Sequence, residues 1–143
     1  MTFIHARGPK RESTAIPSSA FSKGDLLQYN SNSSLSRMAY PIATDGLLVG
    51  VALASSLESL NDQVPFALAV PGSVWLSTVT TGTQLTAGDK RDVEYTGAVF
   101  RVTTSTDTPI VTISADGASD AMIGSNDSRV MVEFDTDATV WGT

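Results

Sequence analysis

Cysteine is absent from the chain, and histidine occurs once, at position 5. Without cysteine there can be no disulfide, no thiolate nucleophile and no cysteine-ligated zinc. A single histidine near the start, with nothing around it that suggests a rigid pocket, is a poor general base. The serines lack a nucleophile-elbow motif, and neither a Walker loop nor a Gly-x-Gly-x-x-Gly fingerprint occurs. The apolar run from Gly46 to Leu57 is too short to span a bilayer as a helix. The first residues hold Arg7, Lys10 and Arg11 but no apolar core of a signal peptide. No window carries the i, i+3, i+4, i+7 apolar spacing of an amphipathic helix. These gaps lead to the expectation of a soluble, non-enzymatic protein with no cofactor, no metal and no membrane span.

Charge is also scarce, at 17% of residues, whereas serine and threonine together number 35 of 143. A charge-poor chain rich in hydroxyl and β-branched residues favours strands and polar loops. The length suits one compact domain or two very small ones, and is enough to bury a real hydrophobic core. The net charge of −6 is unevenly placed. Residues 1–71 hold five acidic and five basic side chains, and residues 72–143 hold ten and four. An acidic body argues against nucleic acid as a partner, because phosphate neutralisation needs a positive face. The exception is the basic cluster Arg7, Lys10 and Arg11.

Residues 1–20 read as an extended N-terminal arm, because Gly8, Pro9, Pro17 and Ser18-Ser19 interrupt regular structure. From residue 21 the chain becomes short strand candidates divided by turns: Leu26–Tyr29, Arg37–Ile42, Leu48–Ala54, Val64–Val70 and Ser73–Ser77. The second half adds Arg91–Thr96, Ala98–Thr103, Pro109–Ser114 and Arg129–Asp135. Asn30–Ser36 and Ser55–Gln63 read as loops, the latter with room for one helical turn. Turn signals at this spacing predict an all-β sandwich or barrel-like domain over 21–143.

Strand phase predicts the core. In Val64–Val70 the residues Val64, Phe66, Leu68 and Val70 share one face, and the small Ala67 and Ala69 on the other would let a second layer approach closely. Val130, Val132 and Phe134 should face inward, with Met131, Glu133 and Asp135 outward. Val93 with Tyr95, and Phe100 with Val102, should each share a face. In Ser73–Ser77 the aliphatic Val74 and Leu76 are expected inward and Trp75 outward. Trp75, Met131 and Trp141, lying outside the core pattern, join Arg7, Lys10 and Arg11 as interface candidates.

A weak internal repeat underlies this pattern. Phe21-Ser22-Lys23-Gly24-Asp25 resembles Leu85-Thr86-Ala87-Gly88-Asp89, and Val49-Gly50 with Val64–Leu68 resembles Ile123-Gly124 with Val130–Phe134. Two duplicated β units, 21–80 and 81–143, would account for it. The glycine of each Gly-Asp pair would supply a positive-φ turn residue, and the aspartate would cap free amides. The acidic clusters Asp116–Asp120, Asp135 with Asp137, and Asp89 with Asp92 lack the spacing of a calcium loop and read as solvated turns.

The order Gly24-Asp25, Val49-Gly50-Val51-Ala52-Leu53, Phe66-Ala67-Leu68-Ala69-Val70 with Gly72, then Leu85-Thr86-Ala87-Gly88-Asp89 resembles the head decoration (cement) proteins of tailed bacteriophages. The resemblance covers about residues 21–102. It implies a β-tulip-like domain that trimerises, sits on the outer surface of the virion and binds the major capsid protein to stabilise the shell. It supplies no catalytic residue. The arm would then contact the shell or a neighbouring subunit. The alternative is a carbohydrate-binding or tail-associated β module, for which Trp75 and Tyr95 would form an exposed flat platform.

Overall fold

The computed structural model describes residues 3–29, 35–37, 47–55, 63–79, 85–96, 99–103, 105–106, 109–114, 129–135 and 138–139. Among them lie twelve strands and no α-helix, so the chain is all-β and sandwich-like. The strands are β1 (Ile4–Arg7), β2 (Glu12–Ala15), β3 (Leu26–Tyr29), β4 (Leu35–Arg37), β5 (Gly50–Ala52) and β6 (Val64–Leu68). They continue with β7 (Val74–Thr78), β8 (Lys90–Arg91), β9 (Val93–Thr96), β10 (Val99–Val102), β11 (Val111–Ile113) and β12 (Arg129–Phe134). One five-stranded sheet runs β1-β7-β12-β11-β8 and is called sheet I below. The other, sheet II, runs β2-β6-β5-β3-β4, and β9 and β10 form a separate hairpin.

The N-terminal segment is not an arm that leaves the body. Ile4 pairs with Leu76 on the edge of sheet I, and Glu12–Ala15 pair with Ala67–Val64 on the edge of sheet II. Gly8 and Pro9 break regular structure as expected, but the break is a corner between two edge strands. Gly8 has φ +82°, and a Cβ built on it would collide with the Gly72 carbonyl oxygen. Gly72, at φ +85°, turns the chain from β6 into β7. The two places where the chain crosses between sheets are therefore in backbone contact. Of the second strand candidate only Arg37 is described, and it ends β4; Leu35 and Ser36, expected in a loop, belong to that strand, and residues 38–42 lie outside the described ones.

The two sheets are built alike. Gly24 N–H donates to Ala52 O and Ala52 N–H to Asp25 O; Gly88 N–H donates to Ile113 O and Ile113 N–H to Asp89 O. Val49 N–H donates to Leu27 O and Ala69 N–H to Val49 O; Ile110 N–H donates to Arg91 O and Asp135 N–H to Ile110 O. Leu53 N–H to Pro65 O matches Ser114 N–H to Met131 O. The cross-strand pairs agree, with Ala52↔Phe66 answering Ile113↔Val132. The repeat thus runs from β2 to β6 and again from β7 to β12, which departs from the boundaries 21–80 and 81–143. The equivalent of Val49-Gly50 is Ile110-Val111; Ile123-Gly124 lie outside the described residues. Each Gly-Asp turn works as the sequence suggests. Gly24 and Gly88 have φ of 92° and 88°, and Ser22 N–H and Thr86 N–H donate to the carboxylates of Asp25 and Asp89 at 2.8 and 3.1 Å.

Burial shows that the units stack in the same sense. Val130, Val132, Phe134 and Ile113 of sheet I pack in one cluster with Leu26, Val51, Ala67 and Ala69 of sheet II. The opposite face of sheet II carries a second cluster, Phe21, Leu27, Val49, Ala52, Val64 and Phe66. Ala67 and Ala69 are therefore the close-approach face anticipated from their size. In the second unit their counterparts are Glu133 and Asp135, and those of Leu26 and Val51 are Lys90 and Thr112. These four have at least some exposure, and Lys90 Nζ lies 3.3 Å from Asp135 Oδ2. Sheet II is buried on both faces, whereas the outer face of sheet I mixes these polar side chains with Val74, Leu76, Met131 and Ile4.

The phase expected for β7 is reversed. Trp75 is 1% exposed and stands opposite Val132, with Ser77 opposite Val130. Trp75 belongs to the inter-sheet core, and Leu76 is only half-buried on the other face. Buried indole N–H groups need an acceptor. Trp75 Nε1 donates to Ser73 Oγ at 3.1 Å, and that hydroxyl donates to Val70 O at 2.7 Å. The phase that holds the tryptophan also holds its acceptor and Val79.

Candidate functional site

The N-terminal basic cluster is presented by the corner between β1 and β2. Arg7, Lys10 and Arg11 are all exposed. Arg7 ends β1, and Lys10 and Arg11 precede β2, so the Gly8-Pro9 corner brings them to one end of the two sheet edges. Both strands are edges, with β1 paired only to β7 and β2 only to β6 among the described strands. Edge strands offer unpaired main-chain groups to a partner chain. A shift in register between His5 and Arg7 breaks the regularity of β1, and Glu12, Ser13 and Thr14 of β2 are exposed.

Below this corner lies a cleft of about 590 Å³. Its apolar lining includes Phe3, Leu53, Pro65 and Trp75, and its polar lining is His5, Lys10, Glu12 and Lys23. The edge of the His5 ring meets Trp75, with centroids 5.3 Å apart and planes at 85°. His5 Nε2 is buried and has no hydrogen-bond partner among the described residues. Phe134 closes the aromatic group from below, with its ring 5.4 Å from that of Phe3 and 5.9 Å from that of Trp75.

The structure separates the candidates read from the sequence. The three basic residues flank the Gly8-Pro9 corner, with Lys10 and Arg11 lining different clefts. Trp75 is buried close by, but as a core residue and not as an exposed anchor. Met131 is half-buried on the outer face of sheet I, directly opposite Leu76, which stands opposite Ile4. Trp141 lies outside the described residues. Tyr95 is half-buried against Phe100 at 4.7 Å and is covered by the Arg37 guanidinium 4.2 Å from its ring centre. Trp75 and Tyr95 therefore form no exposed aromatic platform.

The acidic clusters resolve into local roles where they are described. Asp89 accepts from Arg91 at 2.9 Å as well as from its own turn. Asp92 accepts from Ser105 Oγ at 2.6 Å, and Asp135 pairs with Lys90. Residues 116–120 and Asp137 lie outside the described residues. Asp25 is buried, and burial pushes its carboxyl above the ordinary carboxylate range, against the opposing pull of Ser22 N–H and Arg37.

Two elements of this site escaped the sequence reading. His5 and Lys23 were separated by the supposed arm boundary at residue 20, and nothing linked them. The available signal was the β-prone stretch Phe3-Ile4-His5-Ala6, which precedes Gly8-Pro9 and reaches strand length. No protein-family model matches this chain, and no curated protein matches it with significance.

Proposed function

We propose that this chain is a structural protein that binds the outer surface of a phage capsid and stabilises the shell without chemistry. The ordered Gly-Asp, Gly-Val-Ala and Phe-Ala-Leu-Ala-Val motifs support the reading, as does the all-β architecture. The observation that carries it furthest is the basic corner. Arg7, Lys10 and Arg11 sit exposed beside two strands that are sheet edges among the described residues, on a chain of net charge −6. That combination suits an acidic protein surface, which the cations attract and onto which an edge strand can add main-chain hydrogen bonds. The partners on this reading are the major capsid protein and further copies of the chain, arranged as a homotrimer on the virion. The carbohydrate-binding alternative has lost its platform, since Trp75 is buried in the core and Tyr95 is capped by Arg37.

The test is capsid melting. Shells stripped of the protein should break at lower temperature, and adding it back should restore them with a saturable dose response. Replacing Arg7, Lys10 and Arg11 together by serine should weaken rebinding while leaving the free protein's melting temperature unchanged. Equal melting of bare and decorated shells refutes the stabilising role. Undiminished rebinding of the triple variant refutes the basic corner as the contact.

A further inference from the structure

The duplication leaves one strand position filled in sheet I and open in sheet II. By register, Glu12 and Thr14 of β2 stand opposite Ala67 and Pro65, as Val74 and Leu76 of β7 stand opposite Glu133 and Met131. β2 and β7 are therefore equivalent strands. On its outer side β7 carries β1 in antiparallel pairing, with Ile4 opposite Leu76. Among the described strands, nothing pairs with the outer side of β2. Leu68 N–H donates to Arg11 O, so Arg11, Ser13 and Ala15 direct their main-chain groups at β6. Glu12 and Thr14 then direct theirs outward, and Glu12, Ser13 and Thr14 are exposed.

The edges of the two sheets are not equally open. β1 has a register shift between His5 and Arg7. β8 has two residues, one of them the exposed Lys90, and β4 ends in Arg37, which lies over the Tyr95 ring. Irregularity, shortness and cationic side chains blunt an edge against pairing. β2 pairs with β6 in unbroken register and contains neither lysine nor proline. In a second copy, the edge best suited to β2 is thus β2 itself. Antiparallel pairing about a two-fold axis must match outward residues. Glu12 opposite Glu12 sets like charges face to face, and Lys10 opposite Glu12 sets Arg11 against Arg11. Thr14 opposite Thr14 sets Glu12 against the exposed Ile16. Glu12 opposite Thr14 centres the axis on Ser13, sets Arg11 opposite Ala15, and opposes no like charges directly.

We propose that β2 of one copy adds antiparallel to β2 of a second copy about a two-fold axis at Ser13, joining two copies of sheet II into one. Glu12 of each copy exchanges a pair of main-chain hydrogen bonds with Thr14 of the other, and the two Ser13 side chains meet at the axis as a close, non-hydrogen-bonded pair. The contact is small, which puts it in the weak, reversible class. It needs no shell and stands independently of the threefold arrangement proposed above.

Sedimentation velocity of the full chain from micromolar to millimolar concentration, with hydrogen exchange read at the Glu12 and Thr14 amides, tests the proposal. The parent should double in mass as concentration rises, return on dilution, and gain protection at both amides. Thr14→Pro removes an outward N–H and no bond to β6, so it should fold normally and weaken association at least about tenfold. Thr14→Val keeps that N–H, loses only the hydroxyl that donates to Gln63 Oε1, and should associate like the parent. Ser13→Arg and Ser13→Glu should each fail to self-associate, and an equal mixture of the two should associate again. A mass that does not change with concentration, undiminished association of Thr14→Pro, or a mixture of the charged variants that stays apart overturns the proposal.

Discussion

At the residue scale, equivalent positions in the two units carry different electrostatic loads. Asp25 and Asp89 make the same turn, yet Asp89 has Arg91 at 2.9 Å while Asp25 is 3% exposed with a raised pKa. An acid whose folded-state pKa lies above its unfolded value favours folding while protonated. That contribution is complete below the unfolded pKa and is lost as pH rises through the folded one. At neutral pH the buried anion therefore works against the fold. Asp25→Asn keeps an acceptor for Ser22 N–H and removes the charge. Urea unfolding should show the variant at least as stable as the parent at pH 7, with the advantage vanishing below about pH 4. A variant less stable by more than about 1 kcal/mol at pH 7 would show that the charge itself is needed. Gly8 is a second sensitive residue. Gly8→Ala meets both a positive φ and the Gly72 carbonyl, and should lose about 1–3 kcal/mol from the backbone angle alone, with the clash adding to it. Gly88→Ala, at φ +88° with nothing within 4 Å, is the control that lacks the clash and should lose less.

At the element scale, β12 and β6 show what the sequence discloses and what it withholds. In β12 polar and apolar residues alternate, so Val130, Val132 and Phe134 could be placed inward, and they are buried. Phe134→Ala should accordingly lose roughly 3–5 kcal/mol; a loss under about 1 kcal/mol in denaturant unfolding would contradict its place among the rings of Phe3 and Trp75. In β6 both faces are apolar, and the size difference between Phe66 and Ala67 revealed which one admits a close neighbour. In β7 the period-2 rule was ambiguous, because Val74 with Leu76 and Trp75 with Val79 are both apolar sets. Pairing with β12 and the hydroxyl of Ser73 decided it, and neither is local in sequence. β1 and β2 were missed for a related reason. Each has four residues and takes its stability from a distant partner strand, so local composition showed only the breakers around them. The same dependence predicts that deleting residues 1–20 destabilises the whole body, because it strips one edge from each sheet and takes Phe3 from the core. A truncated chain with an unchanged melting temperature would disprove that.

At the scale of the whole molecule, a tandem repeat stacked in one sense needs a distinct end. The second unit provides it through Lys90, Thr112, Glu133 and Asp135, which stand where the first unit has Leu26, Val51, Ala67 and Ala69. These polar substitutions distinguish the outer layer from the repeating one. The corner of β1 and β2 then differs from the other sheet edges in joining edge strands of both sheets beside Arg7, Lys10 and Arg11. On the shell-binding reading, stabilisation follows mass action: about 2.7 kcal/mol per site at a hundredfold excess over Kd, repeated at every site. Shell melting temperature should therefore rise with the logarithm of added protein once sites begin to saturate. A rise that scales with total protein even when the basic corner is removed would point to crowding and not to a site.

The two N-terminal strands also set a schedule for folding. β1 leaves the ribosome before its partner β7, which emerges only after roughly 70 further residues have been made, about 4–14 s at ordinary synthesis rates. During that interval β1 has a sequence fit for an edge and no edge to join. The last partner in its sheet, β12, arrives later still. Closure by such distant pairing is slow, and a waiting strand can be accepted by the β7 of another nascent chain as readily as by its own. The Gly8-Pro9 corner would serve that exchange as its hinge, because β2 can remain on its own sheet while β1 is donated. Refolding at high concentration should therefore yield interlocked dimers that dilution before refolding prevents.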